Sequence, residues 1–551
     1  MSVLKYGIVV FGFLVACNVN AQANFTDKID KLLSVYNFND APGLSVKVIN
    51  EGESIYSKGF GLSNLDYTVK NSDSTVYDFA SIGKQFTASA IWSLIKEDKI
   101  SLEDDIRTYL PEFPDYENII KIKHLLNHTS GIRNYHTLMY LAGFDYNTSY
   151  YDNNTVLELA IKQKHLNHQP GEKVSYSNTN YNLLTIIVER ISGQNLNDYL
   201  KHHVFSPLKM NATFVRVEHG KPVKNKAIGY MKSKDGYSFS INTQLSYGAG
   251  SMYASVNDLA IWTRMLNEQI PRFKPLAQFL KEADILNSGK KLNYARGLML
   301  DTYKGFNVVG HSGYGFGGRS HLLAIKEKQI GIIVLTNTPT INATSIAYQI
   351  LDALLLSEEK TQKDNKVNSP FEKQNINGFV GEYKEVNSDM TMTLFIENDT
   401  LKALGSMGKI PVSLVQFAKD KFHRAQSENV KYDFTISENH DMIISFGGTP
   451  FYFKRAHFVD ANTVNILEYI GDYYAEELDV SYHFYTENST LKLSYKGHEN
   501  ITLKPVQLNE FGNNDRTLYH FVKDKNDKVT GMLLSCDGTV KDIIFKKEKD
   551  R

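Results

Sequence analysis

The sequence predicts an α+β domain followed by an all-β module, and three features of the 551-residue chain lead to this prediction. Segments with strand periodicity lie at both ends of residues 25–356, with helical segments between them. Residues 357–375 form a polar stretch with little apolar surface to bury, which predicts a linker. Residues 376–551 consist of short alternating segments separated by turn residues, which is typical of antiparallel strands.

The predicted α+β domain begins with paired strands over residues 42–64, with a turn expected around Gly59 and Gly61. From Ser81 the apolar residues recur with a helical period, and a helical and loop region continues to about residue 285. Strands are predicted again for residues 306–309, 321–325 and 329–336, followed by a helix over 342–356. The first and last strands are therefore expected to close one sheet.

The all-β module contains an internal repeat. Residues 379–383 (FVGEY) correspond to residues 469–473 (YIGDY), and residues 397–402 correspond to 487–492 at the same offset. A constant offset indicates duplication. We expect two units, 376–460 and 466–551, which form either one barrel-like domain or two small ones.

The N-terminus has the layout of a secretory signal over residues 1–21: a positive charge at Lys5, a short apolar run, and small residues up to Ala21. Two processing routes stay open. Cleavage after Ala21, which is slightly favoured, gives a soluble exported protein, periplasmic or secreted. Alternatively, residues 14–17 (LVAC) resemble a lipoprotein box, and lipidation of Cys17 would be the chain's only expected contact with a membrane.

Composition excludes several classes of protein. The chain has 61 Lys+Arg and 61 Asp+Glu, so no overall basic field is available to hold nucleic acid. Cys17 and Cys536 are the two cysteines of the sequence, and Cys17 lies in the signal region. A disulfide framework is therefore excluded, and Cys536 is expected to pack as a small apolar residue.

The first candidate for chemistry is Ser81, with Lys84 three residues later. A serine nucleophile needs a nearby base, and residues i and i+3 at a helix start lie on one face. The spacing alone has little specificity, because other serines of this sequence share it: Ser2, Ser93, Ser206, Ser288, Ser357, Ser406 and Ser489.

Two further motifs raise the specificity. Tyr176-Ser177-Asn178 follows a Pro-Gly turn and precedes an apolar-periodic helix. His311-Ser312-Gly313 follows the strand predicted for 306–309 and is the sequence's one His-x-Gly. The three motifs in this order are far more specific than any of them alone.

With these motifs the sequence resembles the β-lactamase-related serine hydrolases, a family of class C β-lactamases, serine D,D-carboxypeptidases, D-aminopeptidases and esterases. The likeness extends from about residue 28 to 356. The segments that carry it are 79–84 (FASIGK), 125–131 (LLNHTSG), 176–181 (YSNTNY), 248–250 (GAG) and 310–313 (GHSG). It implies a β-lactamase/transpeptidase-like domain, built from an antiparallel sheet and a helical region, that works without a metal or cofactor.

The resemblance also implies residue roles. Ser81 would be the acylated nucleophile, and Lys84 with Tyr176 would move its proton. For Lys84 to act as a base, its pKa must fall well below the usual value of about 10.4. Asn178 would clamp the substrate amide and Lys84, and the backbone N–H groups of Ser81 and Tyr314 would form the oxyanion hole.

His311 and Gly313 would complete the substrate-binding residues, but His311 stands where class C β-lactamases carry lysine. A lysine is a permanent cation for a substrate carboxylate, whereas histidine is only partly charged near neutral pH. This departure lowers the expectation of a dedicated β-lactamase. Arg296 and Arg319 are the candidates for a substitute cation, although a solvated surface arginine is the favoured interpretation of each.

The sequence thus predicts an exported serine hydrolase that cleaves an amide or ester through an acyl-Ser81 intermediate. Its expected partners are a small peptide, ester or β-lactam-like substrate, with D-amino-acid peptides of cell-wall type in first place. Two alternatives stay open: a β-lactamase, and a non-catalytic penicillin-binding, peptidoglycan-binding or sensing protein. His128 is interpreted as a turn-stabilising residue. The sequence determines neither the oligomeric state nor the role of the C-terminal module, which is interpreted as a binding domain or a cover.

Overall fold

The structure is a computed structural model that describes residues 25–145, 148–359, 375–406, 408–425, 427–437, 440–446, 449–460 and 463–548. The predicted signal and residues 360–374 of the predicted linker lie outside the described residues. Within the described part of the chain, no helix is long and apolar enough to cross a membrane. The described residues divide into two compact units, one within 25–100, 184–283 and 293–359, the other within 101–183, 284–292 and 375–548.

Strands and helices alternate irregularly through residues 25–359. The strands are β1 (Leu44–Asn50), β2 (Glu53–Phe60), β3 (Leu62–Asn64), β4 (Val69–Lys70), β5 (Tyr77–Asp78), β6 (Phe214–Val215), β7 (Tyr230–Ser233), β8 (Gly236–Phe239), β9 (Met252–Ala254), β10 (Met299–Tyr303), β11 (Phe306–Gly315), β12 (Gly318–Ile325) and β13 (Ile330–Thr336). The helices are α1 (25–33), α2 (Lys84–Lys96), α3 (Ile122–Leu126), α4 (Tyr135–Leu141), α5 (Asn153–Ile161), α6 (Asn178–Ser192), α7 (Leu196–Leu200), α8 (Ser206–Leu208), α9 (Val256–Leu266), α10 (Lys274–Lys281) and α11 (Ala343–Glu359).

The first unit is built on a six-stranded antiparallel sheet with the order β10-β11-β12-β13-β1-β2. Val46 and Val48 of β1 pack with Ile350 and Leu351 of α11, so one face of the sheet is covered by the last helix of the domain. Helix α9 approaches β13 so closely that a Cβ on Gly331 would lie 2.5 Å from the Thr263 hydroxyl. The predicted pairing of the first and last strands is confirmed, because β1 lies between β2 and β13.

Two local predictions were wrong, and a third, the helix from Ser81, is present with a different first turn. The β1–β2 hairpin turns at Glu51–Gly52, which both have positive φ, and not around Gly59 and Gly61. This is the backbone conformation that a two-residue hairpin turn requires. Strand β11 continues to Gly315, so His311 lies inside the strand and not after it. Helix α2 begins at Lys84, and the preceding turn, Ala80–Gly83, is a 3₁₀ helix.

The second unit contains the helices α3, α4 and α5 together with the C-terminal strands. These strands are β14 (Gly381–Glu385), β15 (Thr391–Glu397), β16 (Thr400–Gly405), β17 (Val412–Ala418), β18 (Lys421–Arg424), β19 (Ser427–Asp433), β20 (Met442–Phe446), β21 (Thr449–Arg455), β22 (Gly471–Ala475), β23 (Val480–Glu487), β24 (Thr490–Tyr495), β25 (His498–Thr502), β26 (Lys504–Gln507), β27 (Glu510–Gly512), β28 (Thr517–Lys523), β29 (Val529–Cys536) and β30 (Val540–Lys547).

These strands form two separate sheets, and both sheets belong to the second unit. Strands β14–β21 make a closed barrel, and β22–β30 make a nine-stranded sheet; in each the first strand pairs with the last. The same hydrogen bond recurs at the start of each sheet: Tyr383 Oη donates to the carbonyl of Phe379 at 2.9 Å, and Tyr473 Oη to that of Tyr469 at 3.0 Å. The predicted fold class, an α+β domain followed by a duplicated barrel-like module, is confirmed.

Candidate active site

Ser81 lies in a strained turn of the first unit. The preceding residue, Ala80, has a φ of +48°, a backbone conformation that is costly for a residue with a Cβ. Asp78 Oδ1 accepts a hydrogen bond from the Ala80 N–H at 2.9 Å, and Ser320 Oγ donates to the Phe79 carbonyl at 2.8 Å. The turn that presents Ser81 is therefore held from both sides.

Lys84 lies beside Ser81, at the position expected for its base. Its Nζ donates to Ser81 Oγ at 3.0 Å and to the carbonyl of Ala249 at 2.7 Å, and the side chain is fully buried. Burial lowers the pKa of Lys84 well below its usual value, because the ammonium loses its hydration. The condition that the sequence analysis set for a catalytic lysine is thus met.

Packing and hydrogen bonds fix the helix that carries Lys84. The Phe86 ring lies 4.2 Å from that of Trp262 and 5.7 Å from that of Phe79, measured between centroids. Thr87 Oγ1 donates to the Gly248 carbonyl at 2.7 Å. The GAG segment 248–250 therefore anchors α2, because the carbonyls of Gly248 and Ala249 accept hydrogen bonds from Thr87 and Lys84.

Strand β11 passes directly beside the Ser81 turn. A Cβ on Gly313 would lie 2.4 Å from the Phe79 carbonyl oxygen and 3.1 Å from the Ala80 Cβ, so glycine is needed for this approach. The side chain of Tyr314 points the other way and is 65% exposed. The strand that carries Tyr314 therefore passes beside the Ser81 turn, and the oxyanion-hole role of the Tyr314 N–H stays a prediction.

His311 is a neutral residue in this site. Its Nε2 lies 3.2 Å from the Tyr294 hydroxyl and its Nδ1 lies 2.5 Å from the Ser312 carbonyl oxygen. Burial, with a smaller contribution from the charge of Lys84, lowers the pKa of His311 to about 3. At neutral pH the imidazole therefore carries no charge with which to bind a substrate carboxylate.

The two arginines considered as substitute cations differ in their surroundings. Arg296 is only 2% exposed, pairs with Glu282 at 3.0 Å and stacks on Phe279. The interpretation as a solvated surface residue was therefore wrong for Arg296, and its charge is paired with that of Glu282. The Arg319 guanidinium lies 5.5 Å from the Tyr314 ring centroid.

Tyr176 and Asn178 lie in the second unit, at the start of α6. The Tyr176 ring packs on the fully buried His128 ring with a centroid distance of 4.2 Å. His128 Nδ1 accepts from the Ser177 N–H at 3.3 Å. His128 is thus a support for the Tyr176 loop as well as a turn residue.

Asn178 is held by residues at the start of α4. Its N–H donates to Asn134 Oδ1 at 3.0 Å, and its Nδ2 lies 3.0 Å from His136 Nδ1. The expected clamp from Asn178 to Lys84 and the proton-transfer role of Tyr176 stay predictions.

Several supporting residues were missed by the sequence analysis. They are Asp78, Ser320, Tyr294 and Asn134. Asp78 precedes Ser81 by three positions, whereas the other three lie far in sequence from the residues that they contact. An acidic residue before a strained turn is a recognisable capping signal. The others carry no sequence signal, because their contacts exist only in the folded chain.

The antiparallel sheet of the first unit and the position of Ser81 beside the buried Lys84 fit the serine hydrolases that the sequence motifs resemble. A sequence model of the Beta-lactamase family matches residues 29–355. The chain therefore belongs to this family, as the sequence motifs predicted.

Individual relatives agree with this family. The chain is 30% identical over 309 residues to Protein flp of Staphylococcus aureus strain MRSA252, covering 54% of this chain and 59% of that one. It is 27% identical over 316 residues to a D-aminopeptidase of Gluconobacter oxydans strain 621H, covering 57% of this chain and 59% of that one. The chain thus spans about three fifths of the length of these relatives.

Among solved structures, the octameric penicillin-binding protein homologue from Pyrococcus abyssi is similar with a TM-score of 0.52 and 22% identity. The likeness covers 88% of this chain and 98% of that one, and it indicates a common fold.

Proposed function

We propose that this chain is a hydrolase that cleaves an amide or ester bond of a small substrate through an acyl-Ser81 intermediate. The observation that carries this proposal is the fully buried Lys84, whose Nζ lies 3.0 Å from Ser81 Oγ. A lysine with a lowered pKa can accept the serine proton near neutral pH, which an ordinary lysine does poorly.

The proposed reaction has two stages. Neutral Lys84 takes the proton of Ser81, the serine oxygen bonds to the substrate carbonyl carbon, and the resulting oxyanion lies against the backbone N–H groups of Ser81 and Tyr314. The bond to the leaving amine or alcohol then breaks, and that group receives the proton, with Tyr176 as the proposed relay. In the second stage water attacks the acyl carbon, its proton returns through the same groups to Ser81, and the acid is released.

The proposed substrate is an aminoacyl amide or ester, with D-amino-acid peptides in first place. Because His311 is neutral, the site offers no fixed cation at the position where class C β-lactamases carry lysine. This favours a substrate that is recognised without a carboxylate at that position, and it disfavours a dedicated β-lactamase. The D-aminopeptidase of Gluconobacter oxydans is a relative whose activity agrees with this choice.

We also propose that the chain is exported through the signal in residues 1–21. Mass spectrometry of the protein from its native membrane and soluble fractions distinguishes the two processing routes. Cleavage after Ala21 gives a mature N-terminus at Gln22, whereas a lipoprotein begins with a lipidated Cys17. Cys17→Ser would release only the second form from the membrane.

The test of the catalytic proposal compares Ser81→Ala with Ser93→Ala. Ser93 is a matched control, because it lies on α2, is buried, and also has a lysine three residues later. Wild type and Ser93→Ala should be labelled by an acylating serine probe and should hydrolyse chromogenic esters and D-aminoacyl anilides. Ser81→Ala should do neither, and equal labelling of all three proteins would refute the assignment.

A substrate panel separates the proposal from its alternatives. Rapid turnover of a cephalosporin in preference to D-aminoacyl anilides would indicate a β-lactamase. Stable acylation of Ser81 by penicillin, without turnover of any ester, anilide or β-lactam, would indicate a penicillin-binding or sensing protein.

A further inference from the structure

The nine-stranded sheet β22–β30 shares one hydrophobic core with the helix α4. Leu138 and Leu141 of α4 are buried in the same cluster as Tyr482 and Phe545 of the sheet. Tyr482 Oη donates to the Leu141 carbonyl at 2.8 Å. Without the sheet this face of α4 would be exposed to water, at a cost proportional to the apolar area. The sheet is therefore an integral part of the unit that contains α4.

A buried ion pair reinforces this contact. Arg133 Nη1 lies 2.5 Å from Glu477 Oε2, and the two side chains are 1% and 3% exposed. Arg133 also donates to the Lys541 carbonyl at 2.6 Å, and Glu477 accepts from the Lys164 N–H at 2.8 Å. Both charges are thus surrounded by further hydrogen bonds, which a buried pair needs to offset its lost hydration. Removing one charge would leave the other buried without compensation.

The same arginine begins the segment that holds Asn178. The Arg133 carbonyl accepts from Thr179 Oγ1 at 2.7 Å, and the Tyr135 N–H donates to that hydroxyl oxygen at 2.8 Å. Asn134 accepts from the Asn178 N–H at 3.0 Å. Residues 133–136, which we term the bridging segment, thus fix the first turn of α6 through backbone and side-chain groups.

The turn between β29 and β30 contacts the bridging segment at a second point. The Thr539 carbonyl accepts from the Asn134 N–H at 3.3 Å, and Thr539 Oγ1 lies 2.8 Å from Thr137 Oγ1. Asn167 Nδ2 donates to the same carbonyl at 2.7 Å. The sheet therefore touches the bridging segment on one side, and Asn178 and Thr179 touch it on the other.

We propose that Glu477 is a positioning residue for catalysis: the C-terminal sheet fixes Arg133, and through the bridging segment it orients Asn178 and the adjoining Tyr176. This inference rests on the proposed function, because it assigns Tyr176 and Asn178 a part in the hydrolysis. It gives the C-terminal module a role that differs from a binding domain or a cover.

The central variant is Glu477→Gln, which keeps the size and one acceptor oxygen of the side chain and removes its charge. The matched control is Glu476→Gln, because Glu476 is the next residue, is 69% exposed and pairs with Lys164 at the surface. Chromogenic ester turnover is measured well below the unfolding temperature, with circular dichroism to show that each protein is folded. We expect kcat to fall about 10- to 100-fold in Glu477→Gln, since small displacements of catalytic groups have effects of that size. KM should change far less, and Glu476→Gln should match wild type.

A double variant distinguishes positioning from stability. Arg133→Gln combined with Glu477→Gln removes the uncompensated charge and leaves two neutral amides in place of the pair. We expect the double variant to recover thermal stability relative to Glu477→Gln while kcat stays low. A double variant with wild-type kcat would overturn the proposal, because the ion-pair geometry would then be unnecessary.

Amide hydrogen exchange tests the structural part without relying on activity. Glu477→Gln should accelerate exchange in peptides that contain residues 133–136 and 176–180, and leave α9 in the first unit unchanged. Unchanged exchange at 133–136 and 176–180 would overturn the proposal, whatever the kinetics. If exchange is faster in Glu477→Gln but the wild type hydrolyses none of the substrates, the proposed function and the positioning role of Glu477 in catalysis are both refuted. The structural connection from the C-terminal sheet to residues 133–136 and 176–180 would still be established.

Discussion

His311→Lys is the substitution that tests the electrostatics of the site most directly, because it installs the residue that class C β-lactamases carry. The structure predicts that a cation is poorly tolerated at this position. The pKa of His311 falls from 6.5 to about 3. This lowering of the pKa corresponds to about 5 kcal/mol for placing one positive charge on this side chain.

A lysine at position 311 destabilises the folded protein whether its amino group is charged or neutral. Remaining charged would cost about 5 kcal/mol by the same reasoning, and losing its proton at neutral pH would also cost about 5 kcal/mol, since an ordinary lysine has a pKa of about 10.4. Partial relaxation and water entry lower both values. We therefore expect His311→Lys to lose about 3–5 kcal/mol of unfolding free energy, a large share of the 5–15 kcal/mol typical of a folded protein.

The assay is urea unfolding followed by circular dichroism, with His311→Asn as the neutral control. His311→Lys should unfold at a lower urea concentration than either wild type or His311→Asn. Its stability should rise with pH above neutral, because a buried lysine with a lowered pKa leaves more protons on the unfolded chain. A lysine variant as stable as wild type, with no such pH dependence, would refute the reasoning about the charge of this site.

Gly313→Ala should lower ester turnover strongly, because the new methyl group would meet the Phe79 carbonyl oxygen at 2.4 Å; Gly315→Ala on the same strand meets only the Ala80 Cβ at 3.5 Å and should stay active. His321 is buried, and burial lowers its pKa to about 4, so its protonation alone should remove about 3 kcal/mol of wild-type stability as pH falls from 6.5 to 4. That loss should shrink in His321→Gln, as urea midpoints across this pH range would show, and an identical acid profile would contradict it. The Cys536 thiol is buried and burial raises its pKa, so in a Cys17→Ser background a thiolate reagent should label it only after denaturation. Rapid labelling of the native protein would show that β29 opens to solvent.

The sequence predicted the fold where a local pattern carries the information. Three such patterns are present in the structure: the alternation in β1, the helical period after Ser81, and the repeat around Tyr383 and Tyr473. The first two depend on near neighbours in the sequence, and the third depends on a constant offset. The hairpin turn at Glu51–Gly52 was misplaced because Gly59 and Gly61 are equally suggestive of a turn. In the structure Gly59 serves close packing, since a Cβ there would lie 2.3 Å from the Asn71 backbone.

The candidate site was predictable in its residue types and not in their environment. Ser81, Lys84 and His311 could be identified from motifs, but the lowered pKa values of Lys84 and His311 depend on burial by residues distant in sequence. The same limit applies to Arg296, which a sequence analysis places at the surface by default. Its ion pair with Glu282 and its contact with Phe279 arise from the packing of α10.

The burial that lowers the pKa of Lys84 also accounts for a histidine, and not a lysine, at position 311. A base with a lowered pKa requires surroundings that penalise positive charge, and the same surroundings penalise a second cation nearby. Lys84 is one of the causes that lower the pKa of His311. A neutral imidazole satisfies the Tyr294 hydroxyl and the Ser312 carbonyl without adding charge, and it is burial, not a neighbouring cation, that lowers the pKa of Lys84. A site with lysine at position 311 must stabilise two neighbouring positive charges, that lysine and Lys84. With His311 this requirement is absent, and so is a fixed positive charge that could bind a substrate carboxylate.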